Sequence, residues 1–193
     1  MSGAGFHVHG PHDHELEHAT QHASQSGMIN QIAMFTAVIA TVGAIFAYMG
    51  GATQANAGLY KNNAAIKKTE AANQWNYYQA KSGKQNLAEL AIELVSAEER
   101  KAGYRAEVDR YKKEKAEIKD GADKLEAEAK EWDARSDSQM HLHHRWAQAT
   151  TALQVSIAMA AIALLTKRKW LEWAMFGMAG IGGALGAMAL AHL

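Results

Sequence analysis

The residues best suited to binding a ligand are histidines near the start of the chain. Six of them lie close together among acidic residues: His7, His9, His12, His14, His18 and His22. Imidazole and carboxylate groups suit zinc, copper(II) or nickel. The last three histidines share one face if this segment is helical, and the first two can chelate if it is extended. These six are the predicted metal ligands. The preferred interpretation is nevertheless a flexible polar tail whose histidines are merely abundant.

Two further histidine patterns are weaker. Glu15-Leu16-Glu17-His18 matches the Glu-x-x-His of di-iron bundles, but that chemistry needs a second copy on a facing helix, and this sequence contains no second copy. His141, His143 and His144 precede an apolar stretch and are interpreted as an interfacial belt that contacts lipid headgroups. No acid, base and nucleophile form a convergent set, so no catalytic residue is predicted and the chain is not expected to be an enzyme.

Three apolar stretches, 28–49, 146–166 and 170–190, are each about the length needed to cross a bilayer. The three residues between the last two stretches allow only a tight connection, so residues 50–145 must leave and re-enter one membrane face. Residues 1–27 form a polar, His-rich segment without Lys or Arg. Because the first apolar stretch is longer than the core of a cleavable signal, we expect a retained anchor.

Residues 50–145 show the spacing of amphipathic helices. Apolar residues recur at intervals of three and four, at Leu87, Leu90, Leu94, Ala97, Tyr104, Val108, Tyr111, Ile118, Ala122, Leu125, Ala129 and Trp132. This pattern predicts helices that pack on one another as in a coiled coil. The turn is expected between Val95 and Gly103, where Ser96 and Glu99 match a capping box. The predicted fold is all-α, with an antiparallel hairpin of two helices, each roughly 65 Å long, between spans one and two.

The charge pattern of this hairpin limits its partners. Between Lys61 and Arg145 there are 17 basic and 16 acidic residues of mixed sign. Nucleic-acid binding needs a one-sided basic surface, so no nucleic-acid partner is expected. One two-helix hairpin buries little apolar area, and we therefore expect several copies to associate. Lys101 and Lys115 fall at core-type positions, which either specify register or accept acids from a different protein. The absence of cysteine excludes disulfides and thiolate ligands.

Aromatic and small residues give further candidate sites. Trp75, Tyr77 and Tyr78 could bind a sugar or a quinone headgroup, but the stripe of Ala71, Trp75 and Tyr78 favours packing against the returning helix. In the spans, small residues at intervals of four predict close helix packing: Gly43, Ala47, Gly51, Ala152, Ser156, Ala160, Gly182 and Gly186. Gln154 lies deep in the second span, where a hydrogen bond between subunits is favoured over a pore lining.

Two segments resemble the hallmarks of an uncharacterised bacterial membrane family, the domain of unknown function 4337 family: Ala72-Asn73-Gln74-Trp75-Asn76-Tyr77-Tyr78-Gln79-Ala80-Lys81 and Leu165-Thr166-Lys167-Arg168-Lys169-Trp170-Leu171. The resemblance extends over nearly the whole chain, including the His-rich residues 7–14. It implies a bacterial inner-membrane protein. It supplies no catalytic residue.

We therefore expect a non-enzymatic, homo-oligomeric inner-membrane protein that acts as a scaffold or stalk. Its expected partners are the lipid bilayer, further copies of the chain and an unidentified membrane or envelope protein. The basic loop 167–169 indicates that this loop and the amino terminus face the cytoplasm, which makes the hairpin periplasmic. Two alternatives stay open: a membrane protein that binds zinc, copper or nickel through its histidines and assists transport, and a small oligomeric channel.

Overall fold

The chain folds into three α-helices in this computed structural model, which describes the backbone of residues 13–191 and the side chains of residues 27–191. The helices are α1 (Asp13–Leu94), α2 (Glu98–Thr166) and α3 (Lys169–Leu190). The prediction of an all-α fold is confirmed. Each helix includes a stretch that is long and apolar enough to cross a membrane. The one proline of the chain precedes α1, so every residue within the helices can donate its backbone N–H.

The chain divides into two compact units. The apolar bundle comprises the described residues up to Gly50 and from His144 onward, and the polar hairpin comprises Gly51–His143. Helices α1 and α2 each continue from one unit into the other without interruption. The positions at which polarity changes, which delimit the predicted spans, therefore do not coincide with helix ends. Polar and apolar residues alike retain helical backbone hydrogen bonds.

The turn between α1 and α2 consists of residues 95–97 and lies within the predicted interval. The carbonyl of Ala97 accepts a hydrogen bond of 3.1 Å from the Lys101 N–H. Ala97 is therefore the N-cap of α2, and the prediction that Ser96 caps this helix is wrong by one residue. Gly103 lies inside α2 rather than in the turn.

The connection between α2 and α3 consists of Lys167 and Arg168 and confirms the expected tight loop. Lys167 has a φ of 52°, and its N–H donates to the carbonyl of Ala163 at 2.8 Å. The left-handed conformation reverses the chain immediately after α2. This conformation costs a residue other than glycine about 1–2 kcal/mol, so the backbone of Lys167 is strained.

The bundle core consists of side chains from all three helices. One group of buried residues comprises Ile32, Ala160, Ala163, Leu171 and Met175, and a second comprises Ile39, Leu153 and Ala179. The rings of Phe35 and Phe176 meet edge to face with 4.5 Å between their centroids. The Ser156 hydroxyl, fully buried, donates to the Met175 carbonyl at 2.8 Å and joins α2 to α3.

Small residues allow the bundle helices to approach closely. Gly182 and Gly186 are buried, and a Cβ atom at position 182 would lie 2.7 Å from Leu153 Cδ2. A Cβ atom at position 186 would overlap the ring of Phe46. The predicted close-packing faces are thus confirmed on α3 and, through buried Ala152, Ser156 and Ala160, on α2. On α1 the prediction holds for Gly43 but is wrong for Ala47 and Gly51, which are exposed.

The interior of the polar hairpin is built from small residues at intervals of seven. The buried members are Ala57, Ala64 and Ala71 on α1 and Ala122, Ala129 and Ser136 on α2. The Ser136 hydroxyl donates to the Ala57 carbonyl at 2.9 Å. Early residues of α1 in this unit contact late residues of α2, so the two segments are antiparallel. Because the interaxial distance depends on the side chains at the contact, alanine in both helices brings the helix axes close together.

Candidate functional site

The predicted metal ligands lie outside the part of the chain whose side chains are described. His7, His9 and His12 precede the described backbone, and the side chains of His14, His18 and His22 are likewise outside the described residues. Within residues 27–191, no three or more histidine, aspartate or glutamate side chains are grouped so that they could hold a metal ion. Metal binding by the six histidines therefore stays a prediction.

Ion pairs connect α1 and α2 along the polar hairpin. Asp133 accepts two ammonium groups, with Lys61 at 2.9 Å from Oδ1 and Lys68 bonded to Oδ2. Lys81 of α1 likewise forms an ion pair with Glu114 of α2. These contacts use most of the lysines on α1 to bind the returning helix.

The ionisation of these groups reflects the pairing. Hydrogen bonds from Lys68, the larger contribution, and from Lys61 hold the pKa of the Asp133 carboxyl below its usual range. The hydrogen bond to Asp133 in turn raises the pKa of Lys61. The hydrogen bond from Lys81 lowers the pKa of Glu114, and the same bond raises the pKa of Lys81. Each of these four shifts, of Asp133, Glu114, Lys61 and Lys81, favours the charged form of its group.

Of the three candidate aromatic residues of α1, Trp75 and Tyr78 pack within the hairpin, whereas Tyr77 is 51% exposed. The Trp75 indole N–H donates to Glu126 Oε1 at 2.7 Å, and its ring meets Tyr78 edge to face at 5.7 Å between centroids. The Lys115 ammonium lies 5.0 Å above the Tyr78 ring and donates to Gln85 Oε1 at 3.1 Å. Partial burial of Lys115 matches its predicted core-type position, and its partners come from the same chain.

The apolar residues at the end of α1 face away from α2. Leu87, Leu90 and Leu94 are 67%, 54% and 74% exposed. The prediction that they pack inside the hairpin is wrong. The interior line of α1 passes through Ala88 instead, one residue away, because small side chains suffice where the helices approach closely. On α2 the predicted interior face is confirmed for Val108, Ala122 and Ala129, which are buried.

These leucines continue a longer surface line that the sequence interpretation missed. We call it the outer seam: eleven exposed, uncharged residues of α1 at intervals of three and four, namely Leu59, Asn62, Ile66, Thr69, Asn73, Asn76, Ala80, Gly83, Leu87, Leu90 and Leu94. A helix can present this spacing to one partner helix along its whole length. The pattern is present in the sequence, but four of its eleven residues, Asn62, Thr69, Asn73 and Asn76, are polar, so a pattern of apolar positions alone does not reveal it.

The two helices of the hairpin differ sharply in charge. Of the 44 residues from 51 to 94, eight are charged, whereas 24 of the 46 residues from 98 to 143 are charged. A solvent-facing helix is usually rich in charge, as the second segment is. The first segment has far less charge, although α2 covers only one of its faces.

The chain thus belongs to the all-helical proteins with candidate membrane spans, three of which are present in its described residues. The model of the family described as "Domain of unknown function (DUF4337)" matches residues 28–192, and the chain belongs to this family. The family predicted by resemblance is confirmed. The match begins after the six predicted metal ligands. No curated protein and no solved structure matches the chain.

Proposed function

We propose that this chain is a non-enzymatic membrane scaffold that assembles with further copies of itself through the outer seam of α1. The observation that carries the proposal is an exposed, uncharged line of eleven residues on a helix whose partner α2 is heavily charged. In the proposal the three apolar helices cross a bacterial inner membrane. The basic loop faces the cytoplasm and the hairpin lies in the periplasm, where the assembly would organise envelope proteins.

A second copy fits the seam better than an unrelated partner does. Copies inserted in one membrane have the same orientation, so their α1 helices run parallel and each seam residue faces its own counterpart. A seam without charge contains no like-charge pairs when it meets itself. Asn73 would face Asn73 of the next copy, and a buried asparagine at such a position is known to fix register in parallel coiled coils.

The leucines supply most of the expected association energy. Full burial of a leucine contributes about 1.5–3 kcal/mol, so covering Leu87, Leu90 and Leu94 would contribute roughly 3–6 kcal/mol per copy, given that each is half to three-quarters exposed. Within the apolar bundle, Gln154 is exposed as well. A hydrogen bond between glutamines of neighbouring copies would add a modest contribution in the membrane.

Disulfide trapping tests the assembly in native membranes, because the chain has no cysteine of its own. We expect Ala80→Cys, at the outer seam, to form covalent dimers on mild oxidation, since counterparts in a parallel seam lie within disulfide reach. Ala116→Cys is the matched control. It is an exposed alanine of α2 at the same level of the hairpin, near the contact of Lys115 with Gln85.

Efficient dimer formation by Ala80→Cys and little by Ala116→Cys would support the seam. Equal trapping of the two variants would indicate random collision. Absence of trapping at both Ala80→Cys and Leu87→Cys would rule out a parallel contact through this face of α1.

A further inference from the structure

A cavity of about 540 Å³ opens in the apolar bundle where the beginning of α1, the end of α2 and the beginning of α3 meet. Its lining divides into two chemically distinct parts. Met28, Leu164 and Phe176 give it an apolar wall, whereas Lys167 and Lys169 bring ammonium groups. A lining with one apolar and one cationic part is suited to an amphiphile whose polar group is an anion.

The polar part favours an anion for two independent reasons. The lining contains two lysines, Lys167 and Lys169, and one carboxylate, Glu172, so its basic residues outnumber the acidic one. In addition, α3 begins here, and its N-cap Arg168 makes no side-chain hydrogen bond to the first turn. Of the first N–H groups of α3, that of Leu171 donates to the Arg168 carbonyl at 3.1 Å. The start of the helix still carries a partial positive charge, which attracts anions to this end of the cavity.

Exposed tryptophans indicate the depth of the cavity. Trp170 and Trp173 are 61% and 75% exposed, and Trp173 also lines the cavity. Tryptophan is enriched at the membrane–water interface, where the headgroup phosphates lie. We propose that the cavity binds an anionic phospholipid, with its phosphate near Lys167 and Lys169 and an acyl chain along Leu164 and Phe176. This inference rests on the proposal that the three apolar helices cross a membrane.

Native mass spectrometry of the full-length protein tests the site. Detergent micelles would carry equal amounts of phosphatidylglycerol and phosphatidylcholine, and we expect phosphatidylglycerol to be retained preferentially. The variant Lys167→Gly/Lys169→Gln should bind it more weakly by about five-fold for each lysine removed. Glycine at position 167 also relieves the strained φ of 52°, so this variant should fold at least as well as the natural chain.

Two controls separate the cavity from general charge attraction. Lys112→Gln/Lys119→Gln removes two exposed lysines from the polar hairpin and should leave phosphatidylglycerol retention unchanged. Leu164→Trp fills the apolar wall without altering charge and should reduce retention.

Three outcomes would overturn the site: no preference for phosphatidylglycerol, equal losses in the two lysine variants, or full retention by Leu164→Trp. Inorganic phosphate that protects against thermal unfolding as well as the lipid does would assign the cavity to a free anion instead. Recovery of the chain in the soluble fraction without detergent would contradict the membrane proposal itself, which distinguishes that failure from failure of the lipid site.

Discussion

At the scale of single residues, the bundle depends on glycines that the sequence shows only as part of a small-residue pattern. Gly182 has no room for a methyl group. An added Cβ would meet Leu153 Cδ2 at 2.7 Å and the backbone carbonyl oxygen of Ala149 at 3.2 Å. The leucine could rotate away, but the backbone of α2 can move only with the whole helix. The neighbouring Gly183 is exposed, and no atom of α1 or α2 lies within 4 Å of such a Cβ.

We therefore expect Gly182→Ala to destabilise the bundle by about 1–3 kcal/mol, the usual cost of overpacking a close contact. Gly183→Ala should be neutral or slightly stabilising, because alanine is the better helix former. Thermal unfolding of both variants in the same detergent would measure the difference. Equal melting temperatures would show that α2 and α3 do not approach as closely as described.

Asp133 is the residue on which the ion pairs of the hairpin converge, since two lysines of α1 share its carboxylate. Asp133→Asn should increase hydrogen exchange of the backbone near residues 61–68. The change should be small, because exposed ion pairs contribute little. Asp123→Asn, which changes an exposed carboxylate of the same helix, should leave exchange there unaltered. Protection that is unchanged in Asp133→Asn would mean that these pairs do not hold the helices together.

The pH dependence of the contact between Asp133 and Lys61 follows from the directions in which folding shifts their pKa values. The pKa of Asp133 is lowered by folding, so its contribution is present above the unfolded value of about 3.9 and is lost as the pH falls through the folded value. The pKa of Lys61 is raised by folding, so its contribution is complete below the unfolded value of about 10.4 and is lost at higher pH. Hydrogen-exchange protection should therefore be constant between roughly pH 4 and 10 after correction for intrinsic rates. Loss of hydrogen-exchange protection near residues 61–68 at neutral pH would contradict the ion pair between Asp133 and Lys61.

At the scale of the helices, alanine at intervals of seven sets how closely α1 and α2 pack. Ala129→Leu would place three extra carbon atoms in an interior position that is 1% exposed. We expect it to destabilise the hairpin by about 1–3 kcal/mol. Ala127→Leu, two residues away on the exposed face, should have little effect. Limited proteolysis within the turn at residues 95–97 and hydrogen exchange of α2 would distinguish the two variants.

The helices themselves were predictable because their signals are local. Apolar stretches of bilayer length predicted the three candidate spans, and a spacing of three and four predicted the face of α2 that packs in the hairpin. The partner face of α1 was not predictable in the same way. Alanine contributes little to an apolar pattern, so the exposed Leu87 and Leu90 appeared to be the interior line. Which of two adjacent lines packs inside depends on the approach distance of α2, and that distance is a property of both helices together.

At the scale of the whole molecule, the uneven distribution of charge is the main argument for the proposed assembly. A highly charged α2 is suited to water, whereas the seam of α1 exposes apolar and amide groups that would be better covered. The triple variant Leu87→Gln/Leu90→Gln/Leu94→Gln should leave the hairpin folded, since these side chains make no part of its interior, yet reduce the mass of the particles. Mass measurement in nanodiscs, with circular dichroism as the check of folding, would show this. A triple variant that keeps its full mass would exclude the leucines from the contact.

Salt distinguishes the uncharged seam from every contact made through the charges of α2. Attraction between exposed charges is largely screened at about 1 M salt, where the Debye length is about 3 Å, compared with about 10 Å at 0.1 M. Burial of leucine is not screened, because it depends on the removal of apolar surface from water. We therefore expect disulfide trapping of Ala80→Cys to be as efficient at 1 M as at 0.1 M sodium chloride. A steep loss of trapping with salt would instead indicate that the copies meet through charged faces, with the outer seam left for a different partner.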